Sequence, residues 1–263
     1  MSSFIYDSVG FSELRTGSFE TGIINFAGDG TDWITTSQSV YTNFDDLNDL
    51  SADTAATVTG TWRSIRFDLG SSKTKNCFAG LYTDSSTPGS EAVHVYTSSN
   101  ADDSYYLRDE STLNQSKVWY VANFSANSNR YVVWQPYVSG TTTNLYECFI
   151  GTNYTFEQEP DLRARESSIF GTNTITSAGG VNHTFKRHNK RKTWELSWSN
   201  ISSAMKDDLE TFRNSVTSLK PFLYYDGSTY NRVRLTNTVD FTEVSYGRYQ
   251  TSVSMIEVLD IYS

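Results

Sequence analysis

A mainly β, antiparallel protein is what this 263-residue sequence predicts, and three observations predict it. Ser, Thr, Asn, Gly and Tyr are abundant, and aromatics make up 14% of the chain against 19% charged residues, a composition suited to half-buried pleated surfaces. Long runs of Ala, Leu, Glu and Lys, the stronger helix formers, are missing. Short alternating segments are punctuated throughout by Gly, Asn, Asp and Ser, the residues of turns. The predicted architecture is an antiparallel jelly-roll β-sandwich over residues 40–150 and a second β domain over 151–263 with one amphipathic helix at 201–219. Residues 1–39 are expected to pack with that second domain.

Taken in order, the first feature is the acidic stretch NFDDLNDLSAD, with Asp45, Asp46, Asp49 and Asp53. Loop oxygens are what a hard cation such as calcium takes, but the spacing is not that of an EF-hand and a solvated acidic loop is the favoured reading. In TWRSIRFDLG, Arg63, Ile65, Phe67 and Leu69 alternate with Trp62, Ser64, Arg66 and Asp68, so the first set should face a core and Gly70 should break the strand. CFAGLY, AVHVYT, VWYVANF and RYVVWQPYV follow as strands between polar loops, a series of sandwich length. Cys77 and Cys148 lie in two such runs, NCFAGLY and YECFIG, and read as buried free thiols.

Beyond Gly151 the texture changes. A loop containing EQEPDLRARES leads into the basic strand HTFKRHNKRK and then KTWELSWSN, whose Trp194, Leu196 and Trp198 share one face. Those indoles read as packing residues, because their spacing is that of a buried strand face and each buries a large apolar area. Ile201, Met205, Leu209, Phe212, Val216 and Leu219 then form a continuous stripe at helical spacing. Asn200 or Ser202 can cap the helix, and Lys220-Pro221 ends it. FLYYDGSTYNRVRL is a hairpin turning at Asp226-Gly227.

Chemistry is sparse by comparison. A net charge of -9 argues against nucleic-acid binding, which depends on cationic neutralisation of phosphates. No apolar run approaches a bilayer span, and MSSFIYDSVG lacks the pattern of a secretory signal, so a soluble protein without membrane insertion is expected. His94, His183 and His188 have no metal-binding spacing, with His94 expected to be a satisfied strand residue and the other two solvated. There is no GxSxG elbow, and Gly179-Gly180 reads as a turn and not as a phosphate cradle. Glu157 and Glu159, or the acidic loop, could supply paired carboxylates for glycoside hydrolysis, yet no spacing rule joins them and no enzyme is predicted. No cofactor and no metal is expected.

Two surface features remain. FKRHNKRK concentrates Lys186, Arg187, Lys190, Arg191 and Lys192 in an acidic protein. It reads either as a solvated strand edge that discourages stray pairing or as a docking surface for an acidic neighbour, such as the acidic face of an identical subunit. Tyr105, Tyr106, Trp119 and Tyr120 lie in or beside loops and could stack on sugar rings, or serve in packing.

DLSADTAATVTGTWRSIRFDLGSSKTKNCFAGLYTDSS together with NSNRYVVWQPYV resembles discoidin-like or carbohydrate-module-like jelly rolls, in which a strand ends in Asp-Leu-Gly and an Arg-Tyr strand closes the sheet. FIGTNYTFEQEPDL with its Ile-Gly turn, KTWELSWSN, ISSAMKDDLETFRNSVTSL and PFLYYDGSTYNRVRL resemble, in their order, the tail proteins of tailed bacteriophages. That resemblance implies a structural virion subunit of the distal tail or baseplate. It further implies a homo-oligomeric ring, sixfold by preference, contact with other tail proteins, and assembly in the bacterial cytoplasm. The alternative is a glycan-binding module for host-surface recognition.

Overall fold

The structure is a computed structural model that describes residues 1–7, 19–25, 32–35, 41–42, 56–59, 64–84, 92–99, 106–112, 118–136, 142–161, 165–177, 180, 182–216 and 220–258. Its registered strand pairs are antiparallel, and the only helix among the described residues is Ser203–Ser215. The chain divides into two compact units, Ile5–Asn153 and Met1–Phe4 with Tyr154–Ser263. The expected N-terminal segment 1–39 is therefore split. Only its first four residues join the C-terminal unit, while strands Phe19–Asn25 and Asp32–Thr35 belong to the sandwich, Phe19–Asn25 pairing with Ser64–Asp68.

The unit Ile5–Asn153 is a β-sandwich. One sheet runs in the order Asp32–Thr35, Phe19–Asn25, Ser64–Asp68, Tyr131–Pro136, Ala92–Ser98, Tyr106–Thr112. The other places Lys75–Asp84 between Val118–Asn127 and Thr142–Thr155, with Ala56–Thr59 on the far side of the latter. Ile65, Phe67, Leu69, Val93, Val95, Val132 and Trp134 from the first sheet meet Phe78, Tyr120, Ala122, Leu145, Cys148 and Ile150 from the second in one core. Ile65, Phe67 and Leu69 of TWRSIRFDLG thus point inward as the alternation predicts, Arg63 lying outside the described residues, and Gly70 at φ 73° ends the strand in a conformation that other residues avoid. Ser64 and Arg66, on the opposite face, are buried as well.

Both cysteines are buried and free. Cys148 stands opposite Gly80 and belongs to the core. Cys77 stands opposite Gly151, an odd number of residues from Gly80, so its thiol points to the other face of the sheet. The expected Ile150-Gly151 turn is absent: both residues lie inside the continuous strand Thr142–Thr155.

In the C-terminal unit, strands are ordered Ser3–Tyr6, Phe222–Tyr225, Tyr230–Leu235, Arg248–Glu257, Asn182–Ser202, Arg165–Thr176, and Phe241–Ser245 also pairs with Arg248–Glu257. Trp194, Leu196 and Trp198 are buried while Glu195 and Ser199 are exposed, as the alternation of KTWELSWSN predicts. Phe4 packs against Phe212 of the helix in a stacked pair at 4.4 Å, and Phe156 meets Phe4 at 4.7 Å and Trp198 at 5.2 Å edge-on. The Trp198 indole also donates to the Gln158 carbonyl at 2.9 Å, so both indoles are spent on packing.

The helix is shorter than the apolar stripe suggests. Ile201 lies in the preceding strand, and Ser202, the last residue of that strand, caps the helix by accepting from the Met205 N–H at 3.1 Å. Met205, Leu209 and Phe212 form its buried face, Val216 closes it, and Leu219 lies outside the described residues.

The hairpin turn at Asp226-Gly227 forms as expected, with Gly227 at φ 98°. Burial works to raise the Asp226 pKa, but N–H and O–H donors from Thr229 and Ser228 outweigh it and hold the carboxyl at about 2.

Candidate functional site

Two regions bear on function, one in each unit. In the sandwich, Tyr106 and Leu107 are exposed on the edge strand Tyr106–Thr112, and the Arg108 guanidinium lies 5.6 Å from the Tyr106 ring centre. Arg108 donates through Nε to Thr97 Oγ1 at 2.7 Å, and Asn129 Nδ2 donates to the same oxygen at 2.9 Å. These bonds fix an aromatic face beside a cation. Lys75 is buried nearby, its ammonium donating to the Lys73 carbonyl at 3.2 Å and to the Asn129 carbonyl. Burial, aided by the Arg108 charge, lowers its pKa to about 8.

The Asp-Leu-Gly turn has a structural use. Arg130 grips Asp68 with two hydrogen bonds of 2.7 Å, and the Gly70 N–H donates to the same carboxylate at 2.8 Å. The Arg130 hydrogen bonds lower the Asp68 pKa against the opposing effect of burial. Arg66 and Arg130 both lie over the Tyr131 ring, at 5.2 and 5.1 Å. This constellation closes one end of the sandwich through planar, bidentate pairing.

Of the four aromatics suited to stacking on sugar, the three described ones, Tyr106, Trp119 and Tyr120, are not brought together. Tyr106 is exposed, but Tyr120 is a core residue at 8% exposure and has no free face. Trp119 is half-buried on the other sheet and packs on Phe149 at 5.5 Å. Tyr105 lies outside the described residues, as do Asp45, Asp46, Asp49 and Asp53 of the acidic loop. His94 is engaged by Tyr96, Nδ1 standing 3.0 Å from the hydroxyl oxygen. Glu157 and Glu159 serve local structure: Glu157 accepts from the capping Ser202 hydroxyl at 2.7 Å, and Glu159 accepts from the Ser2 N–H at 2.6 Å. No group of three or more His, Cys, Asp or Glu side chains placed to hold a metal occurs among the described residues.

The basic segment takes an unexpected form. HTFKRHNKRK and KTWELSWSN are one strand of 21 residues, Asn182–Ser202. Its partner Arg165–Thr176 falls in a stretch read from sequence partly as loop, although its Ile, Phe and Thr content was a strand signal. Their register runs from Arg165 opposite Glu195 to Thr176 opposite Asn182. On the other side, Arg248–Glu257 pairs only with Thr193–Ser202. Among the described residues, 182–192 therefore pair with Arg165–Thr176 alone and form a two-stranded ribbon. Lys186 stands opposite Thr172, Arg191 opposite Ile169 and Lys192 opposite Ser168; Arg187 precedes His188, and Lys190 is exposed. Lys192 also lies 6.0 Å from the Trp194 ring centre.

The same unit holds an open, polar cavity of about 390 Å³ between strands Asn182–Ser202 and Arg248–Glu257 and the start of Phe241–Ser245. Asp161 and Asp240 line it with Ser199, Thr242 and Gln250. Beside it, the hairpin joining Phe241–Ser245 to Arg248–Glu257 leaves Val244 48% and Tyr246 101% exposed. Sequence reasoning did not single out either aspartate, since neither lies in a cluster or motif.

No family model and no curated protein matches the chain. Among solved structures, it is similar to the CBM32 of AlyQ in complex with 4,5-unsaturated mannuronic acid, at 20% identity and TM-score 0.35 over 48% of this chain and 95% of the other. It is also similar to chitosan-binding module 1 of a chitosanase/glucanase from Paenibacillus sp. IK-5, at 16% identity and TM-score 0.37 over 50% and 92%. A third is CpGH89CBM32-5 from Clostridium perfringens in complex with GalNAc-beta-1,3-galactose, at 14% identity and TM-score 0.36 over 51% and 96%. At TM-scores below 0.5 these likenesses assign the chain no function.

Proposed function

We propose that the chain is a non-catalytic subunit of a larger assembly, a structural component of a bacteriophage tail that associates with copies of itself and with other tail proteins. The observation that carries the assembly part of this reading is the ribbon of residues 165–176 and 182–192, which continues beyond strand Arg248–Glu257; the tail assignment rests on the order of FIGTNYTFEQEPDL, KTWELSWSN and PFLYYDGSTYNRVRL in the sequence. A two-stranded hairpin is marginal alone in water because it buries little and leaves both outer edges unpaired. Among the described residues no third strand pairs with 182–192, and a partner subunit can take up that edge. Lys75 and Asp68 serve local structure, Lys75 donating to the Lys73 carbonyl and Asp68 accepting from Arg130 and the Gly70 N–H.

Sedimentation velocity over a concentration series tests the reading. Concentration-dependent association that disappears on shortening the ribbon between Gly171 and His188 supports it. Association unaffected by the shortening would refute the ribbon's role. Flanking genes for tail-tube, tape-measure or baseplate proteins would support the tail assignment, and a neighbourhood of saccharide-degrading enzymes would count against it.

A second reading, glycan recognition by the sandwich unit, is favoured by the exposed Tyr106 ring held beside Arg108. Aromatic faces stack on sugar rings, and a fixed guanidinium donates to hydroxyl or carboxylate oxygens. Binding on a glycan array that is lost in Tyr106→Ala, with the fold intact, is the expected result. Binding unchanged by that substitution would place any sugar elsewhere.

A further inference from the structure

We propose that the cavity between Asp161 and Asp240 receives the basic ribbon of a second copy, in a head-to-tail contact whose repetition builds the assembly. This inference rests on the assembly reading above and names the surface that would complete it.

Three observations lead to it. Asp161 and Asp240 line one polar cavity, and among the described residues neither carboxylate has an ion pair or a hydrogen-bond donor. Thr242 and Gln250 of the cavity wall belong to a hairpin whose tip carries the fully exposed Tyr246 and whose Val244 is half exposed, so the same hairpin offers apolar surface beyond the cavity. The ribbon offers the complement: Lys186, Arg187 and Lys190 within the eight residues His183 to Lys190, a segment with no acidic residue. Cationic heads on long apolar stems suit such a surface, and complementary charge sets the register of docking.

The occupant must come from another copy. Ribbon and cavity share the single strand Asn182–Ser202, and Ser197, Trp198 and Ser199 form the cavity wall. Lys190 is seven residues from Ser197 along that strand, which at about 3.3 Å per residue is roughly 23 Å. An extended strand cannot fold back on itself, so the ribbon does not reach its own cavity. A contact between two different surfaces of one chain is heterologous, and it closes a ring or continues as a filament according to the rotation it imposes.

Paired charge reversals test this with the full chain. K186E/R187E/K190E alters the ribbon and D161K/D240K alters the cavity, and circular dichroism with thermal unfolding establishes that each variant folds. Sedimentation velocity should show each variant alone as a monomer under conditions where the unaltered protein associates. Their equimolar mixture should associate again, in alternating order, because each variant's ribbon then meets a cavity of opposite charge on the other. A chain carrying all five reversals should associate again.

If either reversed variant misfolds, D161N/D240N and K186Q/R187Q/K190Q take their place, with association weakened roughly tenfold or more. Association unchanged by either set, or a mixture of the two reversed variants that stays monomeric, overturns the ribbon-to-cavity contact and leaves the assembly reading standing. An unaltered protein that is monomeric at every concentration overturns both.

Discussion

Truncating Phe4 to Ala should loosen the C-terminal unit while sparing the sandwich, although the residue lies at the opposite end of the chain from nearly all of that unit. Phe4 is fully buried and its ring meets Phe212 at 4.4 Å, Phe156 at 4.7 Å, Phe222 at 5.3 Å and Tyr224 at 5.9 Å. Removing a fully buried Phe costs about 3–5 kcal/mol through lost transfer energy and the cavity left behind. The lower figure is the better expectation, because a strand of four residues can shift to fill part of the space. About 3 kcal/mol corresponds to a roughly hundredfold change in an equilibrium constant. Hydrogen exchange read by mass spectrometry separates the two units, so the drop should appear in peptides covering 194–212 and 222–235. Peptides covering 64–84 and 131–150 should keep their protection. Unchanged exchange over 194–212 would refute the assignment of Phe4 to that core.

Three further outcomes follow from the same contacts. Because the folded Lys75 pKa is about 8 against an ordinary 10.5, the unfolded chain binds the extra proton between those values. Stability should therefore rise with pH across that window, by at most about 3 kcal/mol, and urea titrations of Lys75→Met should lack that rise. Asp226 titrates at about 2 against an ordinary 3.8, so its stabilisation is complete above the ordinary value and is lost as pH falls through about 2. Asp226→Ala should cost about 1 kcal/mol at neutral pH after allowance for solvent screening, measured by thermal unfolding, and should show less acid sensitivity than the parent. Burial raises the pKa of Cys77 and of Cys148, so neither thiol should react with a thiol reagent until the chain is denatured; stoichiometric labelling of the native protein would contradict their placement.

Features set by neighbours in sequence were legible in advance. The alternation Trp194, Leu196, Trp198, the inward Ile65, Phe67 and Leu69, the break at Gly70 and the Asp226-Gly227 turn all depend on local periodicity or local backbone freedom, and each is found. The helix also forms on Met205, Leu209 and Phe212, but Ile201 belongs to the strand because pairing with Tyr249 holds it extended. Strand Arg165–Thr176 is hard to see in the sequence because its Ser, Thr and Asn content also suits a loop, and its pairing comes from the basic strand HTFKRHNKRK, whose partner no local pattern names.

Contacts between distant residues were not legible at all. Arg130 and Asp68 stand 62 positions apart, and the Ser2 N–H reaches a carboxylate 157 positions away. The candidate aromatics illustrate the same limit. VWYVANF alternates, yet which of Trp119 and Tyr120 faces the core depends on the opposite sheet, and the structure buries Tyr120. Asp161 and Asp240 acquire meaning only when three strands bring them to one cavity.

The central claim is that this chain acts through contacts with copies of itself and not through chemistry at a cleft. Electron microscopy of the concentrated, unaltered protein addresses it most directly. The account predicts closed rings or short filaments with the 165–192 ribbon of each copy resting on its neighbour; a field of single particles whose ribbons touch nothing would contradict it.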